Sequence, residues 1–303
     1  MNVKKIAHLT GHRGAVYALS QASEHTFFSA GSDGWVVLWD LQQPDLGKLV
    51  AKVDAHLPNS RTHVFSMCFL TEKALVVVGD MNGGVHFIDL KHPENTKDIA
   101  HHPKSVFDIQ LINNELCSIG GDGVLTYWSM DDSKSIESMQ LSTQALRCMA
   151  YCPVRRELAI GSSDGNIYLL DEHKNLKKTI YKAHQSSVFT LQYTPDGAFL
   201  LSGGRDAMLI VRHTNLYDSV VLSQPAHWFT INKIVFHPNR PLFATASRDK
   251  TIKIWETGSW KLLKVIDTIR YGCHIHSINN LLWLDNQLIS ASDDSSLMVW
   301  AID

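Results

Sequence analysis

The apolar residues of this chain fall in short runs rich in Val, Ile, Leu, Phe and Tyr, cut at close intervals by turn residues. No apolar stripe of period 3.6 persists, so the pattern predicts an all-β chain built from many short strands. Some runs, such as 74–80 (ALVVVGD) and 233–237 (KIVFH), are apolar without alternation, as strands covered on both faces require. The pattern also returns along the chain. Ser29 to Asp40 (SAGSDGWVVLWD) is echoed by Cys117 to Ser129 (CSIGGDGVLTYWS), Thr245 to Glu256 (TASRDKTIKIWE) and Ser290 to Ala301 (SASDDSSLMVWA).

Aligning the turn residue six places before each Trp position gives seven copies, at Asp33, Asn82, Asp122, Asp164, Asp206, Asp249 and Asp294. The steps of 49, 40, 42, 42, 43 and 45 residues match the period of about 40–45 of four-stranded propeller blades and exclude the shorter helical repeats. Repeat 6 shows the internal order: a turn and strand in 226–236, then strands in 241–247, 250–256 and 260–266, with Asn, Pro, Asp and Ser in the turns. Seven such units fill residues 1–303, so the expectation is a single domain, a seven-bladed propeller of four-stranded antiparallel sheets. The last repeat ends soon after Trp300 and lacks a fourth strand, whereas 2–12 (NVKKIAHLTGH) resembles the fourth-strand segment 175–184 (NLKKTIYKAH) of repeat 4. Val3 to Leu9 is therefore expected to pair beside 297–301 and close the ring.

A net charge of −2 and a pI near 6.8 give no global attraction to nucleic acid or anionic lipid, so neither is expected as a partner. No apolar stretch follows the N-terminal lysines and none elsewhere is long enough for a membrane span, which reads as a cytoplasmic protein. Cys148 and Cys152, the closest pair of the five cysteines, would stand roughly 13 Å apart on a strand, beyond disulfide reach. Reduced, buried cysteines are expected.

These repeats resemble the WD-repeat (WD40) seven-bladed β-propellers over the whole chain. In that family a His before the first strand, a Ser or Thr on the second, the turn Asp and the Trp of the third form a hydrogen-bonded chain. The resemblance assigns this structural role to His12, Ser29, Asp33 and Trp39, to His102, Ser118, Asp122 and Trp128, to His227, Thr245, Asp249 and Trp255, and to His274, Ser290, Asp294 and Trp300. Repeat 5 keeps His184, Ser202 and Asp206 but has Arg212 for Trp, and repeat 4 keeps only Asp164, with Ser142, Ile160 and Leu170 at the other places. Repeat 2 departs furthest, with His56, Val78, Asn82 and Ile88.

Four sets of His, Ser and Asp spaced round a ring read as scaffolding rather than as hydrolase triads. The segment 161–165 (GSSDG) satisfies a serine-hydrolase pattern, but it aligns with strand-to-strand turns, not with the strand-to-helix elbow a nucleophile such as Ser163 needs. The histidine clusters at His101 and His102 and at His274 and His276 contain members of the hydrogen-bonded sets, so no metal and no cofactor are expected. Two function classes remain: a non-catalytic scaffold that binds a protein or peptide, and a lactonase-like propeller hydrolase with a metal in the central channel. The first is expected, because the channel positions carry aromatic, amide and Arg groups rather than a ring of Asp, Glu and His. After the apolar residue that opens each first strand come Tyr17, Phe65, Phe107, Arg147, Phe189, Asn232 and Asn279, and the family resemblance implies that this position looks onto the top opening. Arg205, Arg248 and Asp293, just before the turn Asp, complete the expected partner-binding set, since aromatics and Arg dominate interface energetics. The alternative for the rings is that they only plug the channel.

Overall fold

The computed structural model describes residues 1–44, 47–53 and 62–303, and in these the strands form seven four-stranded antiparallel sheets. Blade 6 shows how local sequence produces each sheet. Its strands, Ile231–Phe236, Leu242–Ser247, Ile252–Glu256 and Leu262–Ile266, coincide with the four apolar runs, and the turns between them hold the Pro, Asn, Asp and Gly that cannot continue a strand. Six blades take four consecutive strands each. The seventh takes Ile278–Leu284, Gln287–Ser292 and Ser296–Ile302 from the end of the chain and Val3–Thr10 from its start.

That closing pair runs antiparallel from Val3 opposite Ile302 to Thr10 opposite Ser296, with one irregularity between Lys5 and Ala7. Val3 and Leu9 are buried by it, and Lys5 Nζ donates to the Gly272 carbonyl at 2.8 Å. The apolar side chains gather in seven clusters, and each cluster draws on two neighbouring blades: Val37 and Trp39 meet Ile289 and Val299 across the seam between blades 1 and 7, for example. Both faces of every sheet are thus buried against a neighbour, which is why the middle strands need no polar alternation.

Chain direction then fixes two unlike ends of the ring. Each first strand starts at the end that also carries the turn between the second and third strands, here called the top face. The seven innermost strands open on Val16, Val64, Val106, Leu146, Val188, Ile231 and Ile278, all fully buried. The opposite end carries a second kind of lock. There the buried Glu157 of blade 4 accepts from Tyr193 (2.9 Å) and Tyr217 of blade 5, and from Lys177 of its own blade (2.8 Å).

Removing residues 1–9 strips the fourth strand from blade 7 and leaves the edge of Ser296–Ile302 unpaired. The truncated chain is expected to melt at a lower temperature and to self-associate, as read by a thermal melt with light scattering; a truncated chain as stable and monodisperse as the full one refutes the closure's importance.

Candidate functional site at the channel mouth

Below the top face, the turn carboxylates are held by the sets the sequence pointed to. In blade 1 the His12 Nδ1 lies 2.9 Å from Asp33 and its Nε2 lies 2.7 Å from Ser29 Oγ, which also accepts the Trp39 indole N–H at 2.8 Å. With the indole donating to the serine, the serine hydroxyl is free to donate to Nε2, and Nδ1–H then donates to the carboxylate. That order gives both ring nitrogens, the hydroxyl and the indole N–H of the set a partner. Blades 3, 6 and 7 repeat it with His102, Ser118, Asp122 and Trp128, with His227, Thr245, Asp249 and Trp255, and with His274, Ser290, Asp294 and Trp300, every link within 2.7–2.9 Å. Burial alone would push the Asp249 carboxyl up; the bonds from His227, Thr251 and the Trp228 N–H outweigh it and hold the group well below the ordinary carboxylate range. Asp33, Asp206 and Asp294 are lowered in the same way, each chiefly by its histidine.

The other three blades keep an acid at this turn and change the groups around it. In blade 5, His184 Nδ1 bonds Asp206 at 2.9 Å and Nε2 bonds Ser202 at 2.8 Å, while Arg212 turns inward to donate to the carbonyls of Tyr217 and Ala183. In blade 4, Asp164 accepts from Ser142 (2.8 Å) and Tyr168 (2.7 Å), with Ile160 and Leu170 as apolar fill. Blade 2 calls for a correction. His56 lies outside the described residues, and Asn82 is exposed; the buried acid is Asp80, two residues earlier. Asp80 accepts His86 Nε2 at 3.0 Å and the N–H groups of Asn82 and Gly84, and His86 Nδ1 reaches Asp98 at 2.6 Å. With Val78 and Ile88 buried where hydroxyl and indole would stand, the imidazole comes instead from the third strand.

At the top of every first strand the pairing with the second strand slips by one residue, and the skipped residues are Tyr17, Phe65, Phe107, Arg147, Phe189, Asn232 and Asn279. Such a bulge leaves its extra residue unpaired and re-aims its side chain. Repeated seven times about the axis, it sends all seven side chains into one cavity of about 270 Å³. Tyr17 and Phe65 lie 5.3 Å apart between ring centroids, Phe65 stacks on Phe107 at 5.6 Å, and the Arg147 guanidinium sits 4.0 Å over Phe107 and 5.4 Å from Phe189. Five blades thus share a continuous arc of π faces closed by one cation. The two amides clip blades together: Asn232 donates to the Ile278 carbonyl at 2.8 Å, and Asn279 to Val16 O at 3.1 Å and to Asp293 at 2.8 Å.

One level deeper, the cavity is lined by Asp108 and Lys233 as well. To the expected aromatic, amide and Arg lining these two add one acid and one amine, which follow the bulge residue directly and so share its re-aimed strand. Asp108 accepts the Met149 N–H at 2.8 Å and Gln110 at 3.0 Å, and burial raises its pKa despite the attraction of Lys233.

On the rim, the backbone N–H groups of Arg205, Arg248 and Asp293 bond the carbonyls of Ser187, Thr230 and Ser277 at 2.9–3.0 Å, one per blade. Asp293 is engaged by Asn279. The Arg205 and Arg248 side chains are exposed, with no ion pair among the described residues. Beside them stand Trp228 and Phe229, which sequence reading did not select. The signal was present: an aromatic pair directly follows the histidine of repeat 6, where repeats 1 and 5 carry Arg13 and Gln185. Ser163 lies in the turn between two strands, and its Oγ accepts from Arg147 Nε at 2.8 Å. His101 bonds Thr126 Oγ1 at 2.9 Å and packs edge-on against the His102 ring with centroids 5.0 Å apart, and His276 is exposed while His274 is buried.

The family model described as "WD domain, G-beta repeat" matches residues 3–40, 175–212 and 219–256, each a fourth strand of one blade followed by the first three of the next. Cilia- and flagella-associated protein 43 of Xenopus laevis is 27% identical over 67% of this chain and 12% of its own length. Actin-interacting protein 1-2 of Arabidopsis thaliana is 21% identical over 96% of this chain and 47% of its own, and echinoderm microtubule-associated protein-like 2 of Rattus norvegicus 23% over 86% and 40%. The chain spans less than half the length of each of these relatives. The crystal structure of the WD40 β-propeller domain of Doa1 superposes with a TM-score of 0.86 over all of this chain and 97% of that one, at 19% identity.

Asp249→Ala and Asp122→Ala leave a buried imidazole and backbone donors unpaired, and each is expected to cost about 1–3 kcal/mol. Asp164→Ala, at an exposed residue held by hydroxyls, is expected to cost less. Equal losses in thermal melts of the three variants contradict that ranking. A pH series separates blade 2 from the rest. The lowered acids stabilise fully above the unfolded carboxylate pKa near 4 and lose that contribution as pH falls further. His86 is opposed by burial but raised by Asp80 and Asp98, so its contribution is complete below about pH 6.5 and drains as pH rises through its folded value. Denaturant titrations should show His86→Gln destabilising more at pH 5.5 than at pH 9; a pH-independent difference excludes a charged His86.

Proposed function

We propose, from the premise that the chain is a WD-repeat β-propeller, that it is a non-catalytic scaffold whose top face holds a protein or peptide partner. The observation that carries this reading is the convergence of the seven bulge residues on one cavity mouth, with the aromatic and guanidinium arc of Tyr17, Phe65, Phe107, Arg147 and Phe189 at its edge. Propellers host many functions, so the argument rests on the site and not on the fold. Rigid rings backed by strands, and arginines on the rim, are the residue types that carry most interface energy. The relatives' names speak of actin interaction and microtubule association, which supports a protein as the partner class.

The metal-hydrolase reading fares worse on the donor set. A hard divalent cation in a channel takes roughly six oxygen ligands or more. Among the described residues that line the channel there is one carboxylate, Asp108, with the cations Lys233 and Arg147 in the same lining. Nor does a net charge of −2 favour a nucleic acid or an anionic membrane surface. Five free cysteines, four of them buried, fit a reducing compartment such as the cytoplasm.

Affinity capture with mass spectrometry, wild type against Tyr17→Ala/Phe107→Ala, tests the reading. A partner retained by wild type should fall by about tenfold or more in the variant, a loss of about 1.4 kcal/mol, while circular dichroism and the melt show the variant folded. Undiminished capture by a folded variant places the interface elsewhere.

A further inference from the structure

Trp228 is 88% exposed and Phe229 58%, yet the backbone that carries them is fixed. The Trp228 N–H donates to Asp249 at 3.0 Å, the Phe229 carbonyl accepts from Ser247 Oγ at 3.1 Å, and the Thr230 carbonyl accepts the Arg248 N–H at 3.0 Å. Three successive residues are pinned, and two large rings point into water. A backbone already held in place loses little freedom on contact, so burial of the two rings it carries is opposed only by the ordering of their own side-chain torsions.

The ring geometry places this pair between two cations. In blades 3 and 5 the residues equivalent to Thr230, Ser105 and Ser187, donate to the carbonyl of the preceding blade's rim residue, at 2.8 and 3.4 Å. By the same repeat, the segment 228–230 lies between the rim residue of blade 5, Arg205, and that of its own blade, Arg248. The adjacent acids do not neutralise them: Asp206 and Asp249 are turned inward and occupied by His184 and His227. The equivalent place in blade 7 carries another apolar residue, Ile275, 59% exposed. An apolar ledge flanked by free guanidinium groups is complementary to a segment of opposite charge with an apolar side chain.

We propose that blades 5 and 6 form a ledge for an acidic peptide segment of another protein, which lays an aromatic or aliphatic side chain on Trp228 and Phe229 and its carboxylates on Arg205 and Arg248. The inference rests on the top-face reading above and names its partner class. Trp and Arg are the types whose truncation most weakens interfaces, and here they lie side by side.

A phage-displayed library of random short peptides, selected on the intact protein, tests it. Enriched sequences should combine Asp or Glu with an aromatic or aliphatic residue, and a synthetic copy should shift tryptophan fluorescence on binding. Trp228→Ala should weaken that peptide by about tenfold or more. Arg205→Glu/Arg248→Glu should weaken it likewise and bind instead a copy in which Lys replaces the acidic residues. Enrichment without acidic residues, enrichment equal on Trp228→Ala, or no enrichment at all overturns the proposal. So does concentration-dependent self-association abolished by Trp228→Ala, which would make a second copy the occupant. If the ledge fails while a captured partner is still lost from Tyr17→Ala/Phe107→Ala, the top-face reading stands and the ledge alone falls; if both variants keep the partner, both fall.

Discussion

A sheet with two apolar faces is stable only when something covers each of them. Here the cover is always the next blade, and each of the seven apolar clusters belongs to two blades at once. The condition can be met for all blades only if the row closes on itself. The strand Val3–Thr10 lying on Ser296–Ile302 supplies that closure, joining the earliest and latest residues of the chain. Everything else, from the orientation of the top face to the cavity on the axis, presupposes a ring held shut at this seam.

Within the ring, an acid at or beside the turn between second and third strands, its carboxylate drawn out of water in every blade but the fourth, is the recurrent local problem. A carboxylate out of water must collect donors, and the blades collect them differently. Four use imidazole, hydroxyl and indole in series. Blade 4 uses Ser142 and Tyr168, and blade 2 moves the acid to Asp80 and takes His86 from the third strand. What persists is the pairing of the acid, not the identity of its partners. Blade 2 therefore adds, through His86, a protonation response of opposite sign to that of its own Asp80 and of Asp33 in blade 1, without any change of fold.

The bulge near the start of each first strand makes a repeated scaffold into a particular surface. It is the same backbone irregularity seven times, and so it delivers seven side chains to one place regardless of what they are. Their identities then break the symmetry. Blades 1 to 5 contribute π faces and a guanidinium, whereas blades 6 and 7 contribute amides that clip their neighbours. Outside this circle the asymmetry continues, with Arg205, Trp228, Phe229 and Arg248 gathered on two adjacent blades. Partner choice, on the reading proposed above, lives in these departures from symmetry.

The number of blades, their strand order, the closing strand and the four complete hydrogen-bonded sets were legible in the sequence, because each follows from spacing along the chain. So were the seven residues at the mouth, since they share one place in the repeat. Only the tertiary structure showed that they occupy bulges, that Arg147 rests on Phe107, and that Asp108 and Lys233 line the same channel. It also supplied Asp80, His86 and Asp98 as the replacement set of blade 2, and the outward aim of Trp228 and Phe229. The physical reason is the same throughout. A repeat writes local geometry into the sequence at fixed intervals, but which residues of different repeats meet is decided by the curvature of the closed ring, and that curvature belongs to no single segment.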